Sequence, residues 1–119
     1  MKDALTKLSF TGEPILVTGA SSGIGRATAL LLAARGARVF LVARREPELE
    51  EAVSEIRAGG GTAVYCVADI ANRTELNAAI DTAVATFGPL YGLLANAGAT
   101  GGFASAGDYG DEDFETILR

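Results

Sequence analysis

The sequence has no histidine and only one cysteine, Cys66, among its 119 residues. Without histidine, the chain's own residues can form no Ser-His-Asp triad, no histidine general base and no histidine-ligated metal centre. A single cysteine can form neither an internal disulfide nor a cysteine-based metal site, and this usage is typical of a reducing compartment. These absences exclude triad hydrolases and His/Cys metalloenzymes as readings of this chain.

Positive charge and long apolar runs are also scarce. The chain has 10 Lys and Arg against 15 Asp and Glu, a net charge of −5, and its basic residues are scattered. This balance argues against a nucleic-acid-binding protein with a broad basic surface. No apolar run approaches the roughly 20 residues of a membrane span, and the N-terminus, with Lys2, Asp3 and Lys7, lacks the apolar region of a secretory signal. We therefore expect no nucleic-acid or membrane partner and a cytoplasmic location.

Short apolar runs alternate with amphipathic segments along the chain. Regular alternation of strands and helices predicts a single α/β domain over residues 1–119, with a parallel sheet covered by helices on both faces, the doubly wound class. The fourth strand should lie beside the first, which gives the strand order 3-2-1-4. We predict strands at about residues 14–18, 38–42, 62–67 and 90–95, helices at 24–35, 46–57 and 74–87, a Gly/Ala/Ser loop over 99–110 and the start of a helix at 111.

The fourth predicted strand has no predicted strand beyond it. Leu90, Leu93 and Leu94 would then lie on an uncovered parallel edge. Because exposed edges and apolar faces promote pairing with another chain, we expect a homo-oligomer, a dimer or larger.

A glycine-rich turn follows the first predicted strand. Gly19, Gly23 and Gly25 stand between this strand and the first helical pattern, and Ser21 and Ser22 add hydroxyl donors. Such a turn points backbone N–H groups and the positive end of a helix at one place, which suits a pyrophosphate. The turn lacks the lysine of a P-loop, which disfavours ATP hydrolysis. The alternative is that the turn only connects strand to helix.

Two motifs together resemble the short-chain dehydrogenase/reductase family. They are the run Thr18-Gly19-Ala20-Ser21-Ser22-Gly23-Ile24-Gly25 and the run Ala95-Asn96-Ala97-Gly98 at the end of the fourth strand. The resemblance extends from about Glu13 to Arg119. It implies a Rossmann-like sheet that binds a dinucleotide, and hydride transfer between the nicotinamide and a small alcohol or carbonyl substrate in a complete member. The cofactor-binding residues that it and the residue chemistry indicate are Gly19, Ser21, Ser22, Gly23, Ile24, Gly25, Arg44, Asp69, Ile70, Asn96, Ala97 and Gly98.

Two of these residues follow the third predicted strand. By the resemblance, Asp69 would accept a hydrogen bond from the adenine amino group while Ile70 packs nearby. The alternative is that Asp69 only caps the turn that follows it.

Cofactor choice is expected to depend on the end of the second strand. A carboxylate there would bind the ribose diol of NAD, whereas a basic residue would bind the 2′-phosphate of NADP. Arg44 and Arg45 follow the strand, and Glu46 is the first carboxylate after it. Because a guanidinium suits phosphate, we expect NADP rather than NAD, with Arg44 as the ligand. Arg45 is predicted to face solvent and Arg26 to lie on the surface of the first helix. Against NADP, Ser22 stands where some NADP-using members carry a second basic residue.

The residues that carry the family's reaction are missing from the chain. They are a Ser and a Tyr followed four residues later by Lys, whereas Tyr65, Tyr91 and Tyr109 have Asp or Ala at that position and the only lysines lie near the N-terminus. We therefore expect the three tyrosines to pack or lie on the surface, and the chain to be a truncated cofactor-binding half, inactive alone. The alternative function is a non-catalytic nucleotide-binding or self-assembling scaffold. A flavodoxin-like or phosphoacceptor domain fits poorly, because no carboxylate follows the first strand.

Overall fold

The computed structural model describes residues 9–21 and 23–95, together with the backbone of residues 102–104. Strands and helices alternate over this range, as the sequence predicts, and most boundaries agree within two residues. The elements are β1 (Pro14–Thr18), α1 (Gly23–Ala34), β2 (Arg38–Ala43), α2 (Glu46–Ala58), β3 (Thr62–Val67), α3 (Arg73–Phe87), β4 (Gly92–Ala95) and β5 (Gly102–Ala104).

The sheet confirms the predicted order and adds one strand. β1 pairs in parallel with both β2 and β4, and β2 pairs in parallel with β3, so the first four strands lie in the order 3-2-1-4. The prediction that β4 is an open edge is wrong. β5 pairs antiparallel with it through Leu93↔Ala104, Leu94↔Phe103 and Ala95↔Gly102. The strand falls in the segment predicted as a loop, and its pairing satisfies backbone groups that an edge would leave open.

Helices cover both faces of the sheet because alternate strand residues point to opposite sides. In β1, Ile15 and Val17 are buried together with apolar residues of α1 and α2. Leu16, between them, is buried on the other face with apolar residues of α3. The central strands are apolar on both sides, as expected for a buried parallel sheet. Among the described residues, no helix is long and apolar enough to span a membrane.

Arg38, the first residue of β2, joins three parts of the chain at the amino-terminal edge of the sheet. Its Nε donates to the carbonyl oxygen of Gly12 at 2.8 Å, and its Nη2 donates to that of Phe87 at 3.1 Å. The guanidinium carbon also lies 5.1 Å from the centre of the Phe87 ring, a cation–π contact. The turn before β1, the start of β2 and the end of α3 are thereby held together.

Candidate functional site

The carboxyl ends of the parallel strands meet along one edge, where ligands of open α/β sheets bind. Thr18 Oγ1, at the end of β1, donates to the carbonyl oxygen of Leu94 at 3.3 Å. The N–H of Ala20 donates to Val42 of β2 at 3.4 Å, and that of Ala68 donates to Ala43 at 2.9 Å. These hydrogen bonds bring the ends of β1, β2, β3 and β4 together, and with them the glycine turn, Arg44 and Asp69.

The glycine turn has the geometry that the sequence predicts. Gly19 has φ 63° and Gly23 has φ 60°, in the left-handed region that glycine adopts most readily. Ser21 is 9% exposed, and its hydroxyl makes no hydrogen bond to another described residue. α1 begins at Gly23, so the unpaired N–H groups of its first turn lie at this edge. The turn therefore offers donors and a positive helix end to an anion.

Two neighbouring residues at the start of α1 differ in exposure. Ile24 is 74% exposed, although it is apolar. Gly25, one residue further along α1, is buried. The first turn of α1 thus places an exposed apolar side chain next to a buried glycine at the site edge. Ser22, predicted to add a donor here, lies outside the described residues.

The three arginines considered for phosphate binding have different surroundings. Arg26 donates to Glu51 at 2.7 Å and to Glu55 at 3.0 Å, which ties α1 to α2. These hydrogen bonds, that of Glu51 first, raise the pKa of Arg26. Its predicted place on the surface of α1, away from phosphate, agrees with this pairing.

Arg44 and Arg45 contrast with each other at the end of β2. Arg45 precedes α2, its side chain is 61% exposed, and its Nε lies 3.0 Å from Glu48 Oε2. It faces solvent, as predicted. Arg44 is exposed, and its guanidinium pairs with no carboxylate among the described residues. Of these three guanidinium groups, that of Arg44 is the one left open to an added anion.

Asp69 is held in a turn by a network from the start of α3. Its Oδ1 accepts the N–H of Ala71 at 3.0 Å, and its own N–H donates to Glu75 Oε1 at 3.0 Å. Asn72 caps α3, its Oδ1 accepting the N–H of Glu75 at 3.1 Å. The alternative role of Asp69 as a turn cap is thus seen directly, while its second carboxylate oxygen has no partner within the described residues. Ile70 is partly buried and packs against the α3 side of the core.

Removing the cap of α3 should destabilise the protein. We expect Asn72→Ala to lower the free energy of unfolding by about 1 kcal/mol, because the N–H of Glu75 loses its acceptor. Thr74→Ala, at an exposed position in the same helical turn, is the matched control and should change stability by less than about 0.5 kcal/mol. Urea denaturation measures both variants, and equal effects would contradict the capping role.

Tyr65 and Cys66 lie on β3, and neither has the environment of a reactive group. The Tyr65 hydroxyl hydrogen-bonds to Glu46 and Glu50 of α2, so the residue packs at the surface as predicted. Burial, with a smaller effect of Glu75, raises the pKa of the Cys66 thiol and keeps it protonated at neutral pH. No group of three or more His, Cys, Asp or Glu in the described part of the chain could hold a metal ion.

Some contacts of the site were not predicted, and some of the predicted site residues lie outside the described residues. The sequence pattern Asn72-x-x-Glu75 is a helix-capping signal that could have identified the support of Asp69. The contact between Tyr65 and α2 joins distant positions and leaves no local signal. Asn96, Ala97 and Gly98, predicted to line the cofactor cleft, are outside the described residues, as is the helix predicted from residue 111.

Comparisons with known proteins agree with this geometry. The short chain dehydrogenase family model matches residues 13–119. An uncharacterized oxidoreductase of Listeria monocytogenes is 40% identical over 91 residues, which cover 76% of this chain and 37% of that protein. A crystal structure of a dehydrogenase/reductase from Sinorhizobium meliloti has a TM-score of 0.76 and 33% identity, covering 98% of this chain and 46% of the other.

A polyketide ketoreductase gives a related match. The crystal structure of a variant of actinorhodin polyketide ketoreductase with NADPH has a TM-score of 0.70 and 38% identity, covering 84% of this chain and 38% of the other. The parallel sheet of strand order 3-2-1-4 and the glycine turn after β1 thus define an α/β protein of Rossmann type. The chain belongs to the short chain dehydrogenase family, a family of NAD(P)-binding oxidoreductases. It spans less than half the length of each of these three proteins.

Proposed function

We propose that this chain is the cofactor-binding part of an NADP(H)-dependent oxidoreductase. The complete protein would transfer hydride between the nicotinamide and a small alcohol or carbonyl substrate. The glycine turn would bind the pyrophosphate through backbone N–H groups, with the hydroxyls of Ser21 and Ser22 as added donors. Asp69 and Ile70 would contact the adenine. Asn96, Ala97 and Gly98 would line the remainder of the cleft.

The preference for NADP rests on one observation, the position and surroundings of Arg44. The residue directly follows β2, and the end of this strand is joined to the glycine turn through the Ala20–Val42 hydrogen bond. Its guanidinium is exposed and has no carboxylate partner among the described residues, whereas Arg26 and Arg45 are paired. A guanidinium in this place can bind a 2′-phosphate through two charge-assisted hydrogen bonds. The structural neighbour that carries NADPH is consistent with this choice.

Removing the Arg44 side chain should impair NADPH binding selectively. We expect Arg44→Ala to weaken NADPH by about 1.5–3 kcal/mol, the range for hydrogen bonds to charged groups, and to leave NADH nearly unchanged. Calorimetric titration of the purified chain with each cofactor measures both affinities. Arg45→Ala, which removes the neighbouring charge that already pairs with Glu48, is the matched control.

Two outcomes would reject the NADP assignment. One is an equal loss of both cofactors in Arg44→Ala, since only NADPH carries the 2′-phosphate. The other is an equal loss of NADPH in Arg44→Ala and Arg45→Ala, which would indicate general electrostatic attraction by the positive charges.

Cofactor binding and catalytic turnover should be separable in this chain. A chain that has no Tyr-x-x-x-Lys sequence should bind the cofactor without reducing a carbonyl substrate. Under the alternative of a self-assembling scaffold with no nucleotide-binding role, the glycine turn need not be binding-competent, and the chain would fold and bind neither cofactor. β5 covers the β4 edge from which self-association was predicted. The homo-oligomer therefore stays a prediction. An apolar side chain that is exposed on the surface is Leu31 of α1, at 48%. The mass of the chain in solution during the same titration tests for the homo-oligomer.

A further inference from the structure

Helix α2 is strongly acidic, yet each of its glutamates is held by a donor. Arg26 and Arg45 hold three of the five, through the ion pairs described above. The other two share the hydroxyl group of Tyr65, which lies 2.9 Å from Glu46 Oε2 and 3.1 Å from Glu50 Oε1. The Tyr65 contact is thus the means by which the first carboxylate of α2 is positioned.

The position of Glu46 makes its orientation important for a phosphate ligand. Glu46 is the first residue of α2 and stands two residues after Arg44. A carboxylate released there could reach the Arg44 guanidinium and the positive end of α2. Both are groups that would attract a phosphate. A released Glu46 would compete with the 2′-phosphate for these groups and repel it.

The hydrogen bond to Tyr65 directs the Glu46 side chain away from Arg44. In the β2–β3 register Tyr65 lies beside Leu41, three residues before Arg44 and therefore about 10 Å back along the strand. Its side chain packs against the core on the α2 side of the sheet. The hydrogen bond therefore directs the Glu46 carboxylate toward Tyr65, on the face of the sheet that α2 covers.

We infer that Tyr65 is a positioning residue for NADP specificity, which keeps the Glu46 carboxylate away from Arg44 and so leaves the guanidinium open to a 2′-phosphate. The inference rests on the proposed function, in which Arg44 binds that phosphate. Tyr65 itself need not touch the cofactor.

The Tyr65 hydroxyl remains a donor over the whole physiological range. Its hydrogen bond to Glu46, then partial burial and the bond to Glu50, raise the pKa of Tyr65 to about 12. We call the hydrogen bond from Tyr65 to Glu46 the tether. Because the folded state favours the protonated phenol, the tether is fully present below pH 10, the ordinary pKa of tyrosine. It should be lost as the pH rises toward 12.

Removing the hydroxyl should change the ratio of the two cofactor affinities. We expect Tyr65→Phe to weaken NADPH about two- to fivefold, the range for an interaction between exposed charges, and to leave NADH unchanged. Calorimetric titration of the full chain with each cofactor measures the ratio. A merely structural role would weaken NADPH and NADH together, and that result, or an unchanged ratio, would overturn the inference.

A double-mutant cycle identifies the carboxylate responsible. Glu46→Gln should have little effect alone and should restore NADPH binding in the Tyr65→Phe background, because no charge is released. Glu50→Gln, one helical turn further from Arg44, is the matched control and should not restore it. Equal rescue by the two glutamines would contradict a specific role of Glu46.

A cofactor-free measurement tests the tether by itself. In an ultraviolet titration, the difference between the intact chain and Tyr65→Phe isolates the Tyr65 phenol, which should ionise near pH 12. Glu46→Gln should lower that value, and a phenol that ionises near pH 10 in the intact chain would overturn the inference. If Arg44→Ala does not distinguish the cofactors, the proposed function fails even where the tether is present. If Arg44→Ala does distinguish the cofactors but the double-mutant cycle shows no coupling between Tyr65 and Glu46, the proposed function stands and only the role of Tyr65 fails.

Discussion

Gly19→Val should abolish the binding of both NADPH and NADH, with Kd values above about 1 mM. Gly19 has φ 63°, a conformation that a β-branched residue adopts only with strain. In the proposed binding mode, the added side chain would also stand where the backbone of the turn approaches the pyrophosphate. Unlike Arg44→Ala, the change acts on a group common to both cofactors. Calorimetric titration with each cofactor measures the loss.

The control must reproduce the strain at a distance from the site. Gly60 has φ 89°, is exposed, and has open space around the position of an added Cβ. It lies between α2 and β3, at the opposite edge of the sheet. Gly60→Val should therefore lower stability without changing cofactor affinity. Binding that survives in Gly19→Val would show that the glycine turn is not the site.

Phe40→Ala should lower the free energy of unfolding by about 3–5 kcal/mol, a larger loss than that expected for Asn72→Ala. Phe40 lies in β2, is 1% exposed, and packs on the α3 side of the sheet, where its ring meets Phe87 edge-on at 6.3 Å. Truncation removes apolar contacts and leaves a cavity. Since domains of this size are stable by roughly 5–15 kcal/mol, the variant should be close to unfolding at 37 °C.

A conservative substitution distinguishes the loss of apolar volume at position 40 from the loss of the aromatic ring. Phe40→Leu keeps most of the apolar volume and should lower the free energy of unfolding by less than about 1.5 kcal/mol. Urea denaturation followed by circular dichroism compares the two variants. A loss below 1 kcal/mol in Phe40→Ala would mean that the α3 side of the core is less closely packed than the burial of Phe40 indicates.

Local signals predicted the main elements well. β3 has the predicted bounds, 62–67, because three consecutive glycines end the preceding helix and an apolar run follows them. β5 has no such signal, since three residues in a Gly/Ala/Ser segment show no periodicity. It forms because β4 offers an unpaired backbone, a long-range cause that the strand's own residues do not reveal.

The candidate site, like the fold, was predictable from the sequence only in part. The glycine turn and Arg44 could be placed from the sequence, because both follow directly from strand ends. The pairing of Arg26 with Glu51, 25 residues away, and that of Tyr65 with Glu46, 19 residues away, could not. These contacts depend on how α1, α2 and β3 lie side by side. Which arginine is open to a ligand is consequently a property of tertiary structure.

The Arg38 contacts give the two ends of the sheet different mechanical roles. They join three segments at the amino-terminal rim without using any residue of the candidate site. Strands of five or six residues place this rim about 17–20 Å from the ligand-binding one. On the proposed function, a dinucleotide would bind at the carboxyl-terminal rim without displacing any of the Arg38 contacts, which would anchor the opposite rim.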